Sequence, residues 1–372
     1  VSQSLGCKDV EGARKYSQIS LMLSIVLGIA FATVMILFKS PLIGFFNIQD
    51  PMVVADTEFY LTITSFGIPA TFITAVMTGT YNAYGNSKTP FYINVIGLAS
   101  NMILDPVFIF LLKMGITGAA IATVLAQNIV MILCVVAIKY FKNRPFQVYS
   151  LFTKLEKDFV KTIIKWSTPV VLESMFFSSL SMIISRFIAA FGTSAMAVSR
   201  VGSQVESLTW LVGGGFATGI TSFIGQNYGA KQWERIHKGY WISIRLMMIW
   251  GGFITALLLF GGSTLMKLFL IEPTAIQIGI VYLKILSICQ LVACMEYASA
   301  GAFRGLGKTV PPSMVSITGN LIRIFIIYFL SKSKLGLDGI WWGIAIGACI
   351  RSIWMFLWYL WEDRKIVRKE VL

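Results

Sequence analysis

The chain has 372 residues, of which 56% are hydrophobic and 13% charged, with a mean hydropathy of +0.76. A soluble domain carries roughly 25% charged residues, so a soluble globule is excluded, and apolar runs of about 20 residues recur at the length that crosses a bilayer core. The net charge is +14, but the basic residues sit in short clusters between apolar runs, which assigns them to topology and anionic lipid and not to nucleic acid.

The chain opens on a polar, basic phrase, VSQSLGCKDVEGARKY, read as a loop. The phrase returns mid-chain as IGQNYGAKQWERIHKGY, with Gln3 over Gln226, Gly6 over Gly229, Lys8 over Lys231 and Lys15 over Lys238. The second copy follows an apolar run, TWLVGGGFATGITSFI, whereas the first starts at Val1. The expectation is a longer parent protein with helices before Val1.

Ten spans follow, at about 17–38, 58–81, 91–112, 117–138, 163–190, 197–224, 240–262, 278–300, 311–331 and 338–361. Their turns carry Pro and Gly: NIQDPM, YGNSKTP, KMGITG, LIEPTA, RGLGKTVPP and KLGLDG. Residues 139–165 form a polar, Lys-rich linker between an N-lobe, 1–138, and a C-lobe, 166–372. Alternate connections are the richer in Lys and Arg: Lys8, Arg14 and Lys15; Lys88; the linker; Lys231, Arg235 and Lys238; Arg304 and Lys308; and Arg364, Lys365, Arg368 and Lys369. These are expected on the cytoplasmic side of a plasma (inner) membrane, together with Val1 and the C-terminus.

The repeat runs on beyond the opening phrase. At one constant spacing Pro51 pairs with Pro273, Tyr60-Leu61 with Tyr282-Leu283, Gly79 with Gly301, Gly85 with Gly307 and Pro90 with Pro312. After a drift of one residue, Gly115 and Gly118 match Gly336 and Gly339. Gly and Pro are the residues most tied to backbone geometry. The pattern predicts two like halves in the same orientation about an axis along the membrane normal, as in transporters built from parallel repeats.

An ionisable residue deep in a bilayer costs about 2.5–3.5 kcal/mol on insertion scales, so each is a functional candidate. Asp105 is the sharpest. Asn101, four residues before it, shares its helix face, and Pro106 removes a hydrogen bond and loosens backbone carbonyls. Carboxylate, amide and carbonyls together could hold a proton or Na⁺; the alternative is an interfacial residue at a broken helix end. Further acids are Glu173, four residues after Pro169, Glu296, and Glu206 in the outer part of its span. Arg186 and Arg323 are candidates for ion pairs with Glu173 or for a cytosolic gate. The five cysteines (Cys7, Cys134, Cys289, Cys294, Cys349) and the lone histidine, His237 in a basic loop, offer no metal-ligand spacing. Gly213-Gly214-Gly215 sits in too apolar a context for a phosphate loop and predicts close helix packing. Trp354, Trp358 and Trp361 are placed in an interfacial belt or against lipid. Without a Walker motif or a nucleophile–base pair, the reading is a transporter and not an enzyme, with no cofactor and energy from an ion gradient.

The phrase SQxxG with its basic run, YNAYGNSKTP and its partner FRGLGKTVPP, NMILDPVFIFLLKMGITGAAIAT, and SRVGSQVESLTWLVGGGFATGITSFIGQNYGA resemble the MATE (multidrug and toxic compound extrusion) transporters, in order and over essentially the whole chain. The resemblance implies an all-α, twelve-helix, two-lobe exporter of organic cations and other amphipathic small molecules, embedded in lipid, monomeric, and driven by H⁺ or Na⁺. About ten helices are represented here, from the end of family helix 2 to helix 12. It places Asn101 and Asp105 on the Asn-x-x-x-Asp of family helix 5, adds Thr123 of helix 6 to that cluster, and assigns a further carboxylate to helix 1. In the C-lobe it expects a Glu where Phe177 stands and an Asp where Ala293 stands, each one turn from Glu173 and Glu296. A flippase for a lipid-linked sugar shares the fold but would want several basic residues in its cavity. A membrane enzyme acting on lipid would want a His- or Asp-rich face.

Overall fold

The computed structural model describes the backbone of residues 1–45 and 50–371 and the side chains of these residues up to Ile366. The turn NIQDPM is therefore described only from Asp50 onward, and Arg368 and Lys369 of the basic tail lie outside the described side chains. The fold is all-α, and among the described residues ten helical segments are long and apolar enough to cross a membrane.

The opening phrase is not a loop. It folds as α1 (Ser2–Gly6), a turn, and α2 (Val10–Leu37). Asp9 starts α2 as a side-chain cap, accepting from the Gly12 N–H at 2.8 Å, which satisfies a helix-end donor that would otherwise lack a partner. Lys8 turns the chain in the left-handed region at φ 63°. After α3 (Lys39–Gly44), the second span is broken into α4 (Pro51–Ser65) and α5 (Ile68–Tyr84) at Phe66-Gly67. Asp50 caps α4 and Pro51 occupies its first turn, where a missing N–H costs nothing. Then come α6 (Lys88–Pro106) and α7 (Gly115–Tyr140). The long helices α8 (Lys157–Ala189), α9 (Thr193–Gly229), α10 (Trp233–Phe269), α11 (Pro273–Gly305), α12 (Val310–Ser331) and α13 (Leu337–Val371) complete the chain.

The backbone repeats where the sequence does. Lys231 takes φ 55° where Lys8 takes 63°, Gly307 takes 75° where Gly85 takes 90°, and Gly336 takes 53° where Gly115 takes 55°. The hydrogen bonds repeat as well: Asn86 N–H to the Tyr81 carbonyl and Lys308 N–H to the Phe303 carbonyl, at 3.0 and 2.9 Å. Side chains at positive φ are rare outside Gly, Asn and Asp, so a left-handed lysine in both copies marks one turn used twice.

The chain divides into two compact units, Val1–Ile163 and Ile164–Leu372. In the first, α2 packs on α5, and α7 on α4, α5 and α6. Its core includes Ala13, Leu21, Met77, Tyr81, Ile93 and Cys134, and the polar segment after α7 returns to it through Phe146 and Tyr149. Ser17 of α2 joins Thr80 of α5 at 2.7 Å and Tyr149 at 2.9 Å. Burial pushes the Tyr149 phenol up to about 12, so the three hydroxyls stay neutral and share protons without charge.

In the second unit α11 is central, flanked by α9, α10 and α13, with α12 against α13. One core cluster gathers Val198, Leu258, Leu286 and Trp341, and the other Ile224, Tyr240, Phe303 and Tyr359. Of the triple glycine only Gly213 is a packing contact: a Cβ there would lie 2.5 Å from the Tyr297 ring, whereas Gly214 and Gly215 face open space. Trp354 stacks on Trp358 with centroids 6.4 Å apart, and Lys365 sits over the exposed Trp361 ring at 3.1 Å.

Candidate functional site

The first unit's candidate site forms where α6 stops being an α-helix. Pro106 has no N–H for the Met102 carbonyl, and its ring crowds that turn. The chain relaxes into a π-helical turn, Val107–Leu111, closed by the Leu112 N–H on the Val107 carbonyl at 2.9 Å. π-turns inside helices recur at functional sites. Gly118 of α7 lets the two segments touch, since a Cβ there would come within 2.7 Å of the Phe108 backbone. On the last α-turn, Asn101 Nδ2 donates to Asp105 Oδ1 at 3.3 Å. Both residues are partly buried. Thr123 does not join them by a hydrogen bond: its hydroxyl donates to the Ala119 carbonyl of its own helix at 2.9 Å.

The second unit holds a larger polar network. Arg351 of α13 places Nε between the two carboxylate oxygens of Glu296 on α11, at 2.8 and 3.0 Å. Its Nη1 donates to Asn320 Oδ1 of α12 at 2.9 Å, and the Ser352 hydroxyl donates to Glu296 at 2.8 Å. Glu173 of α8 accepts from Arg304 of α11 at 3.4 Å and from the Ser313 hydroxyl of α12 at 3.0 Å. Glu206 of α9 is buried and accepts from the Tyr282 hydroxyl of α11 at 2.6 Å. The arginines reach these places because the facing helix carries glycine. Gly319 of α12 lies under the Arg351 stem, and Gly347 of α13 lies under the Arg323 stem.

The arginine partners differ from those expected. Glu173 pairs with Arg304, not with Arg186 or Arg323, because Arg304 ends α11 beside it. Arg186 is exposed, and neither it nor Arg323 makes an ion pair among the described residues. Arg323 stands within the field of Glu206 and Arg351. His237 lies on α10 and not in a loop, with Nδ1 2.7 Å from Asp363 Oδ2 on α13. Sequence reasoning missed Arg351, Arg304 and Asn320. Arg351 carried a usable signal, a charge in the middle of the apolar run GIAIGACIRSIWMF.

A family model described as MatE matches residues 1–107 and 169–329. The match takes in Asn101 and Asp105, all three network glutamates and the left-handed lysines Lys8 and Lys231. The chain belongs to the MatE family. The probable multidrug resistance protein NorM of Thermotoga maritima is 26% identical over 387 residues, which cover 100% of this chain and 81% of that protein. The multidrug export protein MepA of Staphylococcus haemolyticus is 23% identical over 379 residues, with 100% and 82% covered. The crystal structure of MATE in complex with MaD3S aligns with a TM-score of 0.92 at 22% identity, over 99% of this chain and 82% of that one. An outward-facing multidrug resistance MATE transporter of the MOP superfamily gives 0.92 at 22%, again over 99% and 82%. At such identity the structures establish the fold, and that fold is the MATE fold. This MatE chain is thus a multi-pass membrane protein whose candidate groups are intramembrane carboxylates and arginines.

Proposed function

We propose that this MatE chain exports amphipathic, cationic small molecules across the plasma membrane by alternating access, driven by H⁺ or Na⁺ re-entry, with Asp105 as the coupling carboxylate. The observation that carries the reading is the Asn101–Asp105 pair on the last α-turn before the π-turn at Pro106. A carboxylate held by one amide, in a span interrupted by proline, can take up a proton or a small cation and release it again. The relatives named for multidrug resistance and multidrug export support the substrate class. No cofactor enters the scheme, since the ion gradient supplies the energy, and the protein acts as a monomer without covalent chemistry.

In this reading Glu173 and Glu296 neutralise Arg304 and Arg351 and do not carry the coupling ion. Both acids are already engaged by guanidinium groups, which an ion would have to displace. Thr123 donates its proton to Ala119 and would enter the Asp105 site only through its oxygen lone pairs. The test is Asp105→Asn, which keeps shape and hydrogen bonding but removes the titrating charge. In energised vesicles, ethidium efflux is expected to fall to the level of vesicles without the protein, at equal membrane abundance. Unchanged efflux would overturn the assignment of Asp105.

A further inference from the structure

The first unit carries a basic hollow at the turn between α5 and α6, at the opposite end of α6 from Asp105. It has a volume of about 710 Å³ and is lined by residues 84–89, Tyr92, Lys142, Asn143, Arg144 and Gln147. Its cations are Lys88, Lys142 and Arg144, and no Asp or Glu lines it. The frame is built and not a chance gathering of side chains. Gly85 ends α5 at φ 90°. Asn86 then ties the turn together: its Nδ2 donates to the Thr89 hydroxyl at 2.9 Å and to the Asn143 carbonyl at 3.3 Å, and its Oδ1 accepts from the Thr89 N–H at 3.2 Å. Arg144 is held in place by the Lys139 carbonyl and by Gln147.

The repeat supplies an internal comparison. In the same turn of the second unit the counterpart of Asn86 is Lys308, whose ammonium is paired with Glu362. In the first unit Lys88 and Lys142 form no ion pair among the described residues. Three cations around one hollow repel one another unless an anion sits among them, and this turn has no acid to serve. Beside the hollow, α6 presents exposed Phe91, Tyr92, Val95 and Ile96, aromatic at the end and aliphatic further in. Tyr140 is exposed at the end of α7. That is the arrangement of a membrane boundary, where aromatic rings lie at headgroup level and basic pockets take anionic headgroups.

We infer that the hollow bounded by Lys88, Lys142 and Arg144 binds a phosphate group, with the phosphodiester of an anionic membrane lipid as its source and that lipid's chains along the exposed face of α6. A free phosphate presents the same chemistry without the chains, so the test has two arms. The purified protein, as wild type and as Lys88→Gln/Lys142→Gln, is analysed by native mass spectrometry after exchange into phosphatidylcholine micelles containing phosphatidylglycerol. A parallel titration adds inorganic phosphate and follows melting temperature. Both lysines are exposed, so the double variant is expected to fold, and an unchanged melting temperature in phosphatidylcholine alone checks this. The expected result is retained phosphatidylglycerol on the wild type and a loss of about tenfold or more in the variant, consistent with two removed cations. Lysine-dependent binding of inorganic phosphate with no preference for phosphatidylglycerol would keep the phosphate site and overturn the lipid as its source. Equal lipid retention by both proteins, with no lysine-dependent response to phosphate, would overturn the site altogether. Should the double variant fail to fold, Lys142→Gln alone decides by the same comparison.

Discussion

Arg351 shows how one side chain can set the requirements of its neighbours. Taking a guanidinium and a carboxylate out of water costs more than their attraction returns unless further hydrogen bonds complete the geometry. Here Asn320 and Ser352 complete it, which leaves neither charge bare. Glu296→Ala would strand Arg351 in the membrane-embedded interior, a change that costs about 3–5 kcal/mol when one partner of a buried pair is lost. The expected outcome is a sharply lower thermal unfolding midpoint in detergent. The paired replacement Glu296→Met/Arg351→Met should recover most of that loss, because no isolated charge remains. If Glu296→Ala proves as stable as wild type, the pair is not holding α11 to α13. The acids were legible in sequence as intramembrane charges, but their partners were not. A side chain as long as arginine chooses among several carboxylates by the approach of facing helices, and that approach depends on which glycines, here Gly319 and Gly347, face the neighbouring helix.

At the scale of helices, the turns were the most legible feature, because Gly and Pro announce backbone geometry without reference to the rest of the fold. The pairs Gly85–Gly307 and Gly115–Gly336, read from spacing alone, are pairs of left-handed residues in the structure. The opening phrase was misread as a loop because its polarity hides a short helix and a capped start, both satisfied locally through Asp9. Glycines inside helices are harder to read, since sequence cannot say which of them faces a neighbour. In α11, a Cβ on Gly301 would lie 2.6 Å from the Ala217 carbonyl, whereas one on Gly252 of α10 would touch only the Leu291 side chain at 3.9 Å. Gly301→Ala is therefore expected to destabilise by about 1–3 kcal/mol through overpacking. Gly252→Ala should stabilise by about 0.5–1 kcal/mol through reduced backbone freedom in the unfolded chain. Thermal melts of the two variants side by side distinguish packing from propensity, and equal shifts would contradict the assigned α9–α11 contact.

For the molecule as a whole, the Lys and Arg bias predicts the segment after α7 on the cytoplasmic side and the α12–α13 turn outside. Single cysteines at Lys154→Cys and Ser333→Cys, in a background with the native cysteines replaced, test this orientation in intact cells. An impermeant maleimide should label Ser333→Cys directly and Lys154→Cys only after permeabilisation. The reverse pattern would invert the topology while leaving the fold untouched.

The polar stretch between the apolar halves reads as a linker over residues 139–165, yet Phe146 and Tyr149 bind it to the first unit, and the boundary between the units falls at Ile163/Ile164, inside α8. The covalent link is therefore a stiff rod and not a rope. A rod transmits torque, and a rope does not. Each residue of a helix advances about 1.5 Å and turns about 100°, so a twist imposed at Lys157 reaches Glu173 with little loss unless the rod yields in between. Its weakest point is Pro169, which withholds a hydrogen bond four residues before that carboxylate. Replacing Pro169 with alanine would restore the missing hydrogen bond and stiffen the shaft. Slower efflux at unchanged substrate affinity in Pro169→Ala would identify α8 as a mechanical transmission, and an unchanged turnover rate would show that the units move without loading it.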